Sequence, residues 1–282
     1  MARKPLIIEA RINEYTPRSE NRHIPFSPVE IGEAAARACG AGASIVHFHA
    51  RRDDGSPDHR AETYATAIRA IRERCEILVC PTLGQITAGG EDEDRIAHSE
   101  ALAGDPTTRP DIAPIDTGST YIDRFEHGGF RSGDRTCVNR TEMLRFFAER
   151  LRTLGVKPQF VSWAVPFTRM FAALREIGHV DAPAWFLFEL TDGGILGGHP
   201  GTIDGLEAHL RFLPDGPLEW SLSNKIGNVT SQAALAIERG GHGWPELGCP
   251  DNSAVIQFIA NLSSAMGREV ASVAQTQDML GL

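Results

Sequence analysis

The 282-residue chain is short of most features that would place it outside an aqueous interior. No apolar run approaches the roughly 20 residues that a membrane-spanning helix needs. Residues 1–5 lack the apolar stretch of a secretory signal and lead directly into a strand-like segment. The five cysteines, Cys39, Cys75, Cys80, Cys137 and Cys249, contain no C-x-x-C pair and are odd in number. A disulfide framework is therefore not expected, and a reducing cytoplasm is, with each thiol a small buried hydrophobe. Positive charge is scarce: 28 Lys and Arg against 37 Asp and Glu give a net charge of −9. With no basic stripe to neutralise phosphates, nucleic acid is excluded as a partner. Also missing are a G-x-G-x-x-G after the first strand, a phosphate-loop Lys-Ser/Thr, a G-x-S-x-G elbow and an H-E-x-x-H pair.

What is present is enough apolar residue, 41%, to bury a substantial core, which excludes disorder as the main state. Strand-like runs fall at 6–12, 44–49, 77–82, 112–116, 159–164, 185–190, 218–223 and, weakly, 240–244. Helical periods lie between them at 28–39, 61–74, 92–103, 141–154, 168–177, 203–212 and 230–239, and two more follow, at 252–266 and from Val273. Several boundaries have a physical cause. Ser27-Pro28-Val29-Glu30 is a capping box with proline in the first turn, Gly40 and Gly42 close that helix, and Ser272 to Gln275 repeats the capping signature. Strand–helix alternation repeated about eight times is the arithmetic of a (β/α)8 TIM barrel, an α/β fold expected as one domain over residues 1–282. An open doubly wound sheet is the runner-up. Residues 123–134, rich in glycine and charge, are expected as a long loop after the fourth strand.

His47-Phe48-His49, at the end of the second strand, carries the sharpest chemistry. Residues two apart on a strand share a face, so both imidazoles point one way, toward the mouth where such barrels keep their sites. Two neutral imidazoles, one further ligand and an open position describe a catalytic Zn2+ site; the alternative is a pair of hydrogen-bonded core histidines. On the first strand Glu9, Arg11 and Asn13 alternate with Ile8, Ala10 and Ile12, so one face is polar. Glu9 and Arg11 either neutralise each other inside the barrel or take part in chemistry. Other strand ends contribute Thr82, Asp116 with Ser119, Glu189 with Asp192, and Asn224, each either a substrate contact or a cap for the next helix. The glycine-rich run 191–198 is expected as a loop that a ligand approaches. Glu246, after Gly240-Gly241-His242, is either a surface carboxylate or a group reaching the first two strands across the closing seam.

These residues, taken together, resemble the β-keto acid cleavage enzymes, the group typified by 3-keto-5-aminohexanoate cleavage enzyme. The resemblance runs almost end to end. Its carriers are 6–10 (LIIEA), 24–31 (IPFSPVEI), 41–55 (AGASIVHFHARRDDG), Trp220, Gly240-Gly241-His242, Gly267-Arg268 and the tail 271–282. It implies a TIM barrel with zinc held by two histidines, here His47 and His49, and a glutamate near the eighth strand, whose best heir is Glu246. It also implies a retro-Claisen reaction in which a β-keto acid and acetyl-CoA give acetoacetate and a new acyl-CoA.

Against that resemblance the chain is identified as a divergent member. The arginine and the aspartate base of the family's C-terminal motif have no clear counterpart here. Thr82 stands where the family has a substrate-contacting serine. The glutamate of the P-E-x-E stretch is missing from 158–162, and Trp163 nearby implies a more apolar pocket. The expected catalytic residues are Glu9, Arg11 and Asp116, with Glu189 a further candidate base and Arg11 a candidate carboxylate anchor. Thr82, Ser119 and Asn224 are the expected substrate contacts. The partners expected are a β-keto acid and acetyl-CoA, in a homo-oligomer, dimer or tetramer. Two other functions stay open: a metal-dependent lyase or aldolase that works on a keto acid without CoA, and a non-catalytic metal- or metabolite-binding barrel.

Overall fold

In a computed structural model, residues 3–14, 16–84, 91–243 and 252–282 are described. The barrel strands are β1 (Glu9–Arg11), β2 (Ile45–Phe48), β3 (Leu78–Pro81), β4 (Ile112–Asp116), β9 (Lys157–Ser162), β10 (Ala184–Thr191), β11 (Leu218–Lys225) and β12 (His242–Gly243). Between β4 and β9 lie four two-residue strands, β5 (Thr120–Tyr121), β6 (Phe125–Glu126), β7 (Gly129–Phe130) and β8 (Thr136–Cys137). The helices are α1 (Pro28–Gly40), α2 (Ala61–Arg72), α3 (Asp92–Leu102), α4 (Thr141–Thr153), α5 (Val165–Glu176), α6 (Ile203–Leu210), α7 (Thr230–Glu238), α8 (Asn252–Ala265) and α9 (Val273–Leu280).

The main ladders are parallel, in the orders β1-β2-β3 and β12-β11-β10-β9-β4. Two further links join them into a ring. The amide of Asp111, just before β4, donates to Val79 O of β3 at 3.0 Å. At the other gap Ile8 and Gly243 form a parallel bridge, and Gly243 N donates to Ile7 O at 3.3 Å. The eight-stranded α/β barrel expected from the alternation is the fold observed.

Local sequence explains most boundaries. Ser27 Oγ accepts the Glu30 amide at 3.3 Å while the Glu30 carboxylate accepts the Ser27 amide at 2.9 Å, so the first capping box is built as read. The second, at Ser272 and Gln275, is also present. Gly42, at φ +111°, turns the chain into β2 through a left-handed conformation that other residues rarely adopt. Three expectations need correction. Helix α5 begins at Val165, with Pro166 in its first turn, three residues before the expected start. The stretch expected as a loop, 123–134, contains a small antiparallel ladder of β6 with β7, and β5 pairs with β8 on either side of it. Its Phe125 and Phe130 rings meet at 5.3 Å, a cross-strand contact that such a ladder favours. Helix α1 also runs through Gly40 before it is capped at Ala41.

Alternation along the strands sorts the core into layers. Ile8, Ala10, Val46, Phe48 and Val79 face outward against helices, while Ile7, Ile45, Leu78, Ile112 and Leu187 fill the barrel interior. The seam between the two ends of the chain is fastened by Arg268, 2% exposed. Its guanidinium donates to Lys4 O at 2.8 Å, Pro5 O at 3.3 Å and Gly241 O. Beside it His242 Nδ1 accepts the Ile7 amide at 2.9 Å, and its Nε2 lies 3.1 Å from Glu219. Above the apolar floor the interior turns polar, and the candidate site begins there.

Candidate metal and substrate site

At the C-terminal ends of β1 and β2 the chain places Glu14, His47 and His49, all buried, with their ligand atoms within 4.8 Å of one another. His47 Nε2 and His49 Nε2 lie 3.1 Å apart, and Glu14 oxygens stand 3.4 Å and 3.6 Å from them. Asn13 fixes this arrangement by accepting the His49 amide and donating to His49 O, each at 2.8 Å. Glu14 reaches the histidines because its backbone is left-handed, φ 41°, which folds the chain back after β1. Arg51 holds that turn through the carbonyls of Asn13, Glu14 and Thr16.

The electrostatics keep both rings neutral. Burial, reinforced by the Arg11 cation, lowers His47 to about 3, and burial lowers His49 well below the usual histidine range. Burial pushes the Glu14 carboxyl upward, but Arg11 and Lys225 outweigh it and hold the group well below the carboxylate range. Two neutral imidazoles and one carboxylate are the donor set of a catalytic metal site with an open position. Ligands about 2.05 Å from a tetrahedral ion sit roughly 3.3 Å apart, close to the spacing found here. The residues fit a divalent cation. A second set, Glu9, His47 and Cys80, lies beside it and is also buried.

A cavity of about 550 Å3 opens over this cluster, lined among others by Arg11, Thr82, Asp116, Trp163, Glu189 and Lys225. The Arg11 charge acts on Glu9, where it counters part of the effect of burial, but its hydrogen bonds go elsewhere. Its Nη1 donates to both oxygens of Glu189 at 2.8 Å and 3.0 Å, and its Nε lies 3.4 Å from Glu14. Lys225, partly exposed, stands 3.2 Å from Glu14 and 3.7 Å from Glu189, which completes a quartet of two cations and two anions. Glu9 is instead hydrogen-bonded by Gln159 at 2.9 Å, and burial raises it to about 8. It is absent from the cavity lining.

Asp116 accepts a hydrogen bond from Trp163 Nε1 at 2.9 Å, and burial raises its carboxyl above the ordinary range. Thr82 lines the cavity while its hydroxyl donates to Leu83 O at 3.1 Å. Ser119 and Asn224 are outside the lining. Ser119 Oγ accepts the Asn139 amide at 2.8 Å, and Asn224 donates to Asp192 at 2.9 Å, so both brace loops. Asp192 is outside the lining too, whereas Glu189 is in it. Glu246 lies outside the described residues. Glu14 and Lys225 escaped the sequence reading: Glu14 sits one residue beyond the polar alternation of β1, and Lys225 ends a strand read as stopping at Ser223. Their place at strand ends on the barrel mouth was the available signal.

Comparison with known proteins adds an independent line. A profile of the family described as "beta-keto acid cleavage enzyme" matches residues 5–282. The chain is similar to the 3-keto-5-aminohexanoate cleavage enzyme of Acetoanaerobium sticklandii, 28% identical over 289 residues and 98% of each chain. It is also similar to the 3-oxoadipate:acetyl-CoA acetyltransferase of Cupriavidus necator, 25% identical over 99% of this chain and 95% of that one. Among solved structures, apo ObcA superposes with a TM-score of 0.70 at 14% identity, over 92% of this chain and 66% of its own, a likeness of fold. The chain thus spans about two thirds of the ObcA length.

Proposed function

The chain belongs to the beta-keto acid cleavage enzyme family, and from that premise we propose that it transfers an acyl group by retro-Claisen exchange. The reaction converts R-CO-CH2-COO− and acetyl-CoA into acetoacetate and R-CO-S-CoA. The names of the two relatives, a keto acid cleavage enzyme and an acetyl-CoA acetyltransferase, support this reading. The observation that carries it is the buried Glu14–His47–His49 cluster under a cavity wide enough for a small keto acid.

In this proposal His47, His49 and Glu14 hold a zinc ion, with Glu246 as a further carboxylate donor. Bound zinc would supply Lewis-acid polarisation of the keto group. The protein's own groups do the rest. The Arg11–Glu189 pair holds Glu14 and Lys225 in register, and Lys225, 5.5 Å from the Trp163 ring, presents an ammonium to the substrate carboxylate. Arg11 itself is occupied by Glu189 and Glu14, so its part is to position rather than to anchor. Asp116, a cavity carboxyl whose burial favours the protonated form, exchanges the proton at the carbon that leaves and re-attacks. Thr82 contributes a cavity hydroxyl, whereas Glu9, Ser119 and Asn224 support the walls. The same proposal includes one barrel domain over residues 1–282 and a cytoplasmic dimer or tetramer. Among the described residues no helix is long and apolar enough to cross a membrane.

The test is an acyl-CoA formation assay on zinc-loaded protein with acetyl-CoA and a panel of β-keto acids. Acetoacetate and acyl-CoA should appear in equal amounts. Carbon–carbon cleavage without acyl-CoA, or no turnover across the panel, refutes the proposal.

A further inference from the structure

We propose that Arg95 forms a second anion subsite in the same cavity, so that the preferred substrate is a 3-oxo dicarboxylate whose distal carboxylate binds this guanidinium. The inference rests on the β-keto acid reading above and adds the substrate's far end.

Arg95 lies near the start of α3, following β3, and lines the cavity. Its Nε donates to Gly84 O, its Nη1 to Asn139 Oδ1 at 3.1 Å and toward Met143 Sδ at 2.7 Å, and the guanidinium stands 5.3 Å from the Phe147 ring centre. Every one of these partners is neutral. Among the described residues no carboxylate lies within 4 Å of it; burial disfavours its charge, and the acidic groups Asp116 and Asp92 offset that only in part.

The contrast with the other lining cations is informative. Arg11 and Lys225 are matched by Glu189 and Glu14. Arg124, partly exposed, and Arg131, exposed, face Glu20 at 4.0 Å. Arg135 is exposed, so water screens it. Arg95 is therefore the partly buried cation of the lining that forms no ion pair within 4 Å among the described residues, and a guanidinium stays charged at any working pH. Leaving such a charge unmatched is costly, and an arriving carboxylate recovers that cost.

The geometry also aims the group. Asn139 donates through Nδ2 to Asp116 O at 2.9 Å and Gly118 O at 2.8 Å, which turns its Oδ1 toward Arg95 and holds the fork in place. Both Nε and Nη1 are engaged, and among the described residues Nη2 has no hydrogen-bond partner, which leaves it for the cavity. Leu83, Ile115 and Val161 give the lining an apolar stretch suited to methylene groups. Asp116 would favour a cationic end instead, but it already takes the Trp163 N–H.

Calorimetric binding to zinc-loaded protein without acetyl-CoA tests the assignment. The probes are 3-oxohexanedioate against 3-oxohexanoate, together with their seven-carbon homologues. At one chain length or both, the dicarboxylate should bind about tenfold tighter or better, the scale of a charge-assisted hydrogen bond. In Arg95→Met the affinity ratio should fall toward one, and Arg95→Lys should restore part of it. A purely bracing role for Arg95 would weaken both acids alike and leave the ratio in place, which overturns the inference. Equal binding by the wild-type protein overturns it without any variant, while the β-keto acid reading survives. Binding of neither acid overturns both.

Discussion

Replacing Glu189 with glutamine is the most demanding test of this charge quartet, because it removes one charge and almost no volume. Arg11 and Glu189 are 5% and 2% exposed and 2.8 Å apart, so solvent screening is slight. At an effective dielectric of 20 that separation corresponds to a Coulomb attraction of about 6 kcal/mol before desolvation is counted. Breaking a buried pair by deleting one partner costs about 3–5 kcal/mol, since the remaining charge stays stranded. Glutamine can still accept from Arg11, which places the expected loss near the lower end, about 3 kcal/mol. In a chain of this size that lowers the thermal midpoint by about 5 °C. Metal-free protein followed by scanning calorimetry gives the number. The double variant Arg11→Met with Glu189→Gln leaves Lys225 facing Glu14, a neutral pair, and should cost clearly less than the two single losses added together. A single-variant loss under about 1 kcal/mol, or strict additivity in the double variant, would show that the quartet is not one electrostatic unit.

Three further outcomes are expected. His47→Ala should lose its zinc by elemental analysis, and stoichiometric zinc in that variant would refute the ligand assignment. Asp116→Asn should lower kcat about 10²- to 10⁴-fold with KM within a few-fold, and an unchanged kcat would remove Asp116 from proton transfer. Stability should also fall on acidification. Burial lowers His98 and His242 to about 4 and His209 to about 3. Below about pH 6.5 the unfolded chain takes up protons that the folded one refuses, so stability present at neutral pH is lost between about 6.5 and 4. Each histidine contributes up to about 1.4 kcal/mol per pH unit to that loss. A urea midpoint that does not change across this window would contradict the burial of these rings.

The barrel was legible because its signals are local. Ser27-Pro28 and Ser272 start helices through their own side chains, and Ile8, Ala10 and Ile12 alternate with a period that only a strand satisfies. His47 and His49 were legible for the same reason, sharing a face by spacing alone. The partners of Arg11 were not legible. Glu189 lies 178 residues away, and closure of the ring, rather than any pattern near Arg11, brings it within 2.8 Å. Glu14 was hidden by a left-handed turn at a non-glycine residue, which no periodicity announces. Arg95 reads as an ordinary polar position near the start of a helix until Gly84 and Asn139 are seen to wrap it.

Arg268 has a consequence for how the chain matures. A ribosome delivers Lys4 and Pro5 first and their guanidinium clamp 264 and 263 residues later, so the cylinder stays unfastened for most of synthesis. For that interval the inward face of β1, with Glu9 and Arg11, lacks its final neighbours. Nascent chains halted before residue 268 should then be more readily cleaved by protease than those released after it.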